Sequence, residues 1–158
     1  MKQMLMAIVV IAAPLGCRAL TNPGFDTNGA GWNIYPNASA VTFSGGQAHL
    51  VKPVSDGIAI WQDETAFTSG SYKATFVVVN VTGTFAVGWQ HPTTSAWAPG
   101  SPTLVSTAGT YMVTCNDPAL KTVDAGEVNV STQFTADIDS ISTSAVLPAA
   151  ATDWQLFN

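Results

Sequence analysis

A chain of 158 residues, 47% of them hydrophobic, has the length of one domain and enough apolar content for a full core. The formal charge is -5 with five Lys and Arg in all, too few to build the basic face that phosphate contacts require, so nucleic acid is not an expected partner. Charged residues make up only 9%, against roughly 25% in ordinary soluble domains. Such a surface rests on hydroxyls, amides and small side chains, which suits a protein that is packed among neighbours, secreted or glycan-coated better than a free cytosolic enzyme.

Residues 1–19 come first. Lys2, an apolar run from Met4 to Ala13 and then small residues have the layout of a secretory signal. Pro14-Leu15-Gly16-Cys17 also approaches a bacterial lipobox, with an atypical proline three positions before the cysteine. The run is too short for a spanning helix, which needs roughly 20 apolar residues. Four fates follow for this segment: removal as a signal, acylation at Cys17, retention as an apolar arm that docks on a partner, or insertion as an added strand. A membrane enters only through the first two. Retention would let Cys17 pair with Cys115, and removal would leave Cys115 alone. The simpler reading of Cys115 is a small buried apolar residue.

From Leu20 onward, short apolar or alternating runs are separated by turn residues, and no long helical period appears. The pattern predicts strands at 32–35, 40–43, 47–51, 57–62, 71–81, 84–90, 103–106, 110–115, 126–134 and 136–142. Asn28-Gly29, Ser44-Gly45-Gly46, Ser69-Gly70, the stretch from Pro99 to Pro102, and Ala108-Gly109 mark the turns. Tyr72, Ala74, Phe76 and Val78 alternate with Lys73, Thr75 and Val77, which turns one face of that strand to a core. Val77 and Val79 are apolar on the other side as well and predict a central strand covered twice. This density of short strands predicts an all-β fold, a two-sheet antiparallel β-sandwich of jelly-roll type over 20–144. A C-terminal tail, 145–158, contains Trp154 and Phe157 and is expected to dock on a neighbouring subunit or on its own sandwich.

Catalytic signals are sparse. His49 and His91 have no Ser, Cys or Asp partner at a recognisable spacing. Asp63-Glu64, Asp124, Glu127, Asp137 and Asp139 supply carboxylates but no glycosidase motif. No phosphate loop or Cys/His metal cluster occurs. A non-enzymatic protein that requires no cofactor is the expectation.

Sugar binding has more support, because a pyranose stacks its C–H face on an aromatic ring while its hydroxyls bond amides and carboxylates. Trp61 and Trp89 are each followed by a glutamine, Gln62 and Gln90, and Trp97 lies in a Pro- and Gly-rich loop. These five are the candidate glycan contacts, with Tyr35 and Tyr111 as further aromatics. Trp32 is expected in the core, and either of Trp61 and Trp89 could join it. Asn37, Asn80 and Asn129 head Asn-x-Ser/Thr sequons, which are glycan acceptors only in a glycosylating secretion pathway.

The order of several motifs adds a resemblance. Asn22-Pro-Gly-Phe-Asp26, Gly31-Trp32, Ser44-Gly-Gly46, the strand Gly70-Ser-Tyr-Lys-Ala-Thr-Phe76 and Asp137-Ile-Asp-Ser-Ile-Ser142 resemble carbohydrate-binding modules of the galactose-binding-like jelly roll, especially the short versions in bacteriophage virion proteins. The resemblance runs from Leu20 to about Ser142. It implies a structural calcium between Asp26 and Asp139, completed by carbonyls near Asn22 and Gly24. It also implies a virion role as a decoration, fibre or tail component, with copies of itself or other virion subunits as partners and cell-surface glycans as further ones. The alternatives are a secreted or lipid-anchored bacterial carbohydrate-binding protein, and a pilus-like filament subunit built by strand addition.

Overall fold

The computed structural model describes residues 20–36, 40–53, 57–63, 71–91, 96–116, 122–126 and 133–146. The fates considered for 1–19, the pairing of Cys17, the sequons at Asn37 and Asn129, and the tail beyond Val146 lie outside the described residues.

Ten strands form among them: β1 Asn33–Pro36, β2 Val41–Ser44, β3 Gln47–Lys52, β4 Ile58–Asp63, β5 Ser71–Gly83, β6 Phe85–Gln90, β7 Thr103–Val105, β8 Gly109–Cys115, β9 Thr122–Gly126 and β10 Phe134–Val146. They make two five-stranded antiparallel sheets, in the orders β1-β4-β9-β6-β7 and β2-β3-β10-β5-β8. The expected two-sheet sandwich is therefore present.

Alternation builds the interface between the sheets. In β5, Tyr72, Ala74, Phe76 and Val78 are buried, and Lys73, Thr75 and Val77 turn outward. In the other sheet, Ile58 and Ile60 of β4, Val123 and Ala125 of β9, and Phe85, Val87 and Trp89 of β6 face them as buried side chains. Each large apolar group in this layer contributes roughly 1.5–3 kcal/mol through its removal from water. Trp89 also crosses the core, donating its indole N–H to the Val113 carbonyl of β8 at 3.0 Å. Cys115 is buried, as expected.

Three expectations need correction. The strand read at 126–134 falls instead on 122–126, where β9 pairs with β4 on one side and β6 on the other. Thr122, Asp124 and Gly126 look like turn residues in sequence, but they form the outward set of a strand whose inward set is Val123 and Ala125. The last strand runs from Phe134 to Val146, beyond both ends of the expected 136–142, because every residue from Ile141 to Val146 has a partner on β5. Finally, among the described residues nothing covers β5 a second time: it lies between β10 and β8, but Val79 is 48% exposed. Its second apolar row lies on an open sheet face.

The opening segment closes one edge of the sandwich. Leu20, Phe25 and Trp32 are buried, Phe25 packs its ring against Trp32 and Phe43, and the Trp32 indole donates to the Asn22 carbonyl at 2.9 Å. Trp32 is thus a core residue, as read from the sequence. Gly29 lies under the Phe43 ring with a φ of 74°, so neither the space nor the backbone there admits a side chain.

Candidate functional site on the first sheet

Residues directly opposite in an antiparallel pair point to the same face, so the register fixes which side chains share the outward surface of the β1-β4-β9-β6-β7 sheet. One row runs Asn33, Trp61, Asp124, Gly88. On one side of it lies Tyr35, Ala59, Gly126, Ala86, Leu104. On the other lies Asp63, Thr122, Gln90, with Trp97 bridged to Gln90. The middle of this surface is floored by small or short side chains: Ala86, Gly88, Thr122, Asp124 and Gly126 are all buried. The flanks stand higher. Tyr35 is 60% exposed and Leu104 56%, and Trp61 and Trp97 are half-buried.

The two Trp-Gln pairs divide between the faces, because successive strand residues point to opposite sides. Trp61 and Gln90 lie outward together, while Gln62 and Trp89 point into the sandwich. Trp89 is fully buried and has no face for a sugar, so as a glycan contact it is corrected to a core residue. Gln62 is corrected likewise: its side-chain oxygen accepts the Thr21 amide at 2.6 Å, and its Nε2 donates to the carbonyls of Thr21 and Gly31 at 3.0 and 2.8 Å. That amide ties the opening segment to β4 and is buried away from the outward face. Tyr111 belongs to the second sheet, where its hydroxyl donates to the Thr107 carbonyl at 2.7 Å.

Trp97 reaches the surface through a folded-back segment. The Ala98 amide donates to the Trp89 carbonyl and the Ser101 amide to the Ala98 carbonyl, and the chain continues through a cis Ser101–Pro102 bond. The Ser101 hydroxyl accepts the Trp89 amide at 3.0 Å and occupies the space where a side chain at residue 88 would project. Gly88 is therefore glycine for close approach. This contact seats Trp97 beside Gln90, while Trp61 lies across β9 and β6. Three strand spacings separate the two indoles, roughly 14 Å, a span suited to several sugar rings in a row.

The surface offers stacking faces at Trp61, Tyr35 and Trp97, an amide at Gln90 and Asn33, and a carboxylate at Asp63, with Asp124 buried in the floor beneath them. Asp63 already accepts the Thr122 hydroxyl at 2.6 Å. Asn33, Leu104 and the place of Asp124 in the buried floor escaped the sequence reading. Alternation along β1 would have placed Asn33 with Tyr35; Asp124 stayed hidden because its strand was placed four residues too late.

The residues considered for calcium lie at the opposite sheet's edge of the opening segment. The Ile141 amide donates to the Pro23 carbonyl at 2.9 Å, which binds that segment to β10 two residues past Asp139. Asp26 and Asp139 are both exposed, and the Asp26 carboxylate lies beside Gly24 and Gly46. Among the described residues no three His, Cys, Asp or Glu side chains gather as a metal set, so an ion there would draw most of its ligands from backbone carbonyls. The third sequon residue, Asn80, is exposed on β5, with its Nδ2 donating to Asp137 at 3.3 Å.

No protein-family model matches the chain, and no curated protein sequence matches it. Solved structures do. A family 4 carbohydrate-binding module matches with a TM-score of 0.60 at 18% identity, over 80% of this chain and 99% of its own. A family 61 module, solved with β-1,4-galactotriose, matches with a TM-score of 0.51 at 16% identity, over 80% and 97%. The K3 adhesin domain of Lys-gingipain from Porphyromonas gingivalis gives 0.55 at 14% identity, over 81% and 98%. At these identities the likeness is one of fold, and the fold is that of the carbohydrate-binding-module β-sandwich.

Proposed function

We propose that this protein binds an oligosaccharide on the outward face of the β1-β4-β9-β6-β7 sheet, as a structural component of a bacteriophage virion such as a decoration, fibre or tail protein. The observation that carries the binding reading is the register, which sets Trp61, Tyr35 and Trp97 on one face together with the Gln90 amide and the Asp63 carboxylate. Aromatic faces take the C–H side of a sugar, and the amide and carboxylate take its hydroxyls. The fold shared with carbohydrate-binding modules supports it. An array of plant, bacterial and animal glycans probed with the purified chain tests it: a consistent class of bound oligosaccharide is expected, and uniform silence would overturn it.

The virion setting rests on the resemblance and on a surface almost without charge, which favours packing among neighbours. Weak single contacts multiplied over many copies would suffice for host attachment. The signal-like residues 1–19 favour the second reading, an exported or lipid-anchored bacterial glycan-binding protein. Intact mass of protein from its native source separates the two: a chain that keeps Met1 or Lys2 supports the virion reading, and one beginning at an acylated Cys17 or near Leu20 supports export.

A calcium ion held by Asp26, Asp139 and neighbouring carbonyls belongs to the same proposal, as a structural ion remote from the sugar face. Ligand that binds only the folded state stabilises it by about 2.7 kcal/mol at a hundredfold excess over Kd. Melting in saturating calcium is therefore expected several degrees above melting in EDTA, with the difference lost in Asp26→Asn. Equal melting temperatures would remove the ion from the account.

A further inference from the structure

The second sheet carries on its outward face a chain of side chains that the sequence reading did not join. Ser44 ends β2, His49 lies on β3, and Asp137 lies on β10. The Ser44 hydroxyl lies 2.9 Å from His49 Nε2, and His49 Nδ1 lies 2.8 Å from Asp137 Oδ1. Asn80 of β5 donates to the other carboxylate oxygen, Oδ2, at 3.3 Å. Four neighbouring strands thus contribute one residue each, in the order hydroxyl, imidazole, carboxylate, amide.

The register produces this order. Gly45 and Gly46, with φ of 59° and 75°, form the two-residue turn that matches strand twist, and they set Ser44 opposite Gln47 and Thr42 opposite His49. Ser44 and His49 therefore share a face. His49 and Asp137 are direct partners across β3 and β10, and Asp137 and Asn80 across β10 and β5. In sequence, Asp137 stands 88 residues from His49, so no local spacing reveals the set.

We propose that Ser44, His49 and Asp137 form an acyl-transfer relay, with Ser44 as nucleophile and esters of small carboxylic acids, such as O-acetyl esters, as substrates. An ionised carboxylate only accepts, so Asp137 requires the proton on Nδ1 and leaves the Nε2 lone pair facing the Ser44 hydroxyl. That is the tautomer a general base needs. The Ser44 carbonyl lies 3.3 Å from the same Nε2 and accepts its N–H once the ring has taken the serine proton. The His49 and Asp137 side chains are 28% and 31% exposed and Ser44 is exposed, so the hydroxyl is reachable. A side chain on Gly45 would meet nothing within 4 Å, so the space beside the nucleophile is open. With no described residue beside Gly45 to hold a long acyl chain, the site suits a small acyl group on an accessible alcohol.

Ser44 Oγ bonds the ester carbonyl carbon while His49 Nε2 takes the hydroxyl proton. The carbon–alkoxide bond then breaks, and the alcohol leaves with that proton. Water, deprotonated by the same nitrogen, attacks the acyl-serine and releases the acid, and the proton returns to Ser44. The net reaction is ester plus water to acid plus alcohol, with no oxidant or metal.

The whole chain incubated with p-nitrophenyl acetate is expected to release p-nitrophenol in a burst and to carry one acetyl group on the peptide holding Ser44. A fluorophosphonate probe is expected on the same residue. Ser44→Ala should abolish burst and label while melting as the wild type does. Asp137→Asn, which presents the wrong tautomer, should slow acylation by roughly 100-fold or more, whereas Ser142→Ala, elsewhere on the sheet, should leave it unchanged. Acetylation at other residues, or Ser44→Ala reacting as fast as the wild type, would overturn the relay. A lower melting temperature in the Ser44 and His49 variants with no hydrolysis in any form would also overturn it, reducing the chain to a stitch between strands.

Discussion

Gln62→Leu is expected to lower the stability of this protein by about 3 kcal/mol, on the order of 1 kcal/mol for each of three lost hydrogen bonds. The side chain is 8% exposed, and leucine fills similar volume, so the loss comes from polar groups left behind: the Thr21 amide and the carbonyls of Thr21 and Gly31. For a domain of this size the melting temperature should fall by roughly 6–12 °C. Gln62→Glu separates packing from bonding, because a carboxylate keeps the Thr21 amide contact and repels both carbonyls. It should be at least as damaging at neutral pH. Chemical denaturation of the three forms measures this, and a change below about 0.5 kcal/mol for both variants, the range of ordinary surface substitutions, would mean that the opening segment is held by its other contacts: buried Leu20, Phe25 and Trp32, and the Pro23 carbonyl on β10.

Trp61→Ala is the substitution expected to hurt ligand binding most. The indole is the aromatic nearest the centre of the outward face, opposite Asp124 and next to Asn33. A half-exposed indole covered by a sugar loses on the order of 100 Å² from water, worth about 2–3 kcal/mol at 25 cal/mol per Å². That corresponds to a roughly 30- to 150-fold rise in Kd. Titration calorimetry of the monovalent chain with its best glycan measures it, since clustered copies would mask a weak site. Trp97→Ala should lose less, standing at the rim, and Trp89→Phe should change stability while leaving Kd alone. Unchanged affinity in Trp61→Ala would move the binding site off this face.

Much of the architecture could be read from alternation. The 71–78 run, the Gly45–Gly46 hairpin and the burial of Trp32 and Cys115 all follow from side-chain period and turn chemistry, which act over a few residues. The misplacement of β9 has the opposite origin. Thr122, Asp124 and Gly126 carry no apolar signal on their outward side, and the strand exists because β4 and β6 supply hydrogen-bond partners on both edges. Long-range pairing overrode local propensity there, as it often does in sheets. The apolar second row of β5 erred for a related reason: Val77 and Val79 show that a residue can bury, but not whether anything lies above it.

The candidate sites divide along the same line. Composition alone disfavoured nucleic acid, and the chain's aromatics and amides named Trp61, Gln90 and Trp97, because residue type carries chemistry wherever the residue lies. Pairing Trp61 with Gln62 and Trp89 with Gln90 failed once strand geometry sent neighbours to opposite faces. The sandwich also joined Ser44 and His49 to Asp137, far along the chain. Period and residue type are local and survive in one dimension; which face is covered, and which distant side chains come within 3 Å, depends on the register of strands that only the folded sheets bring side by side.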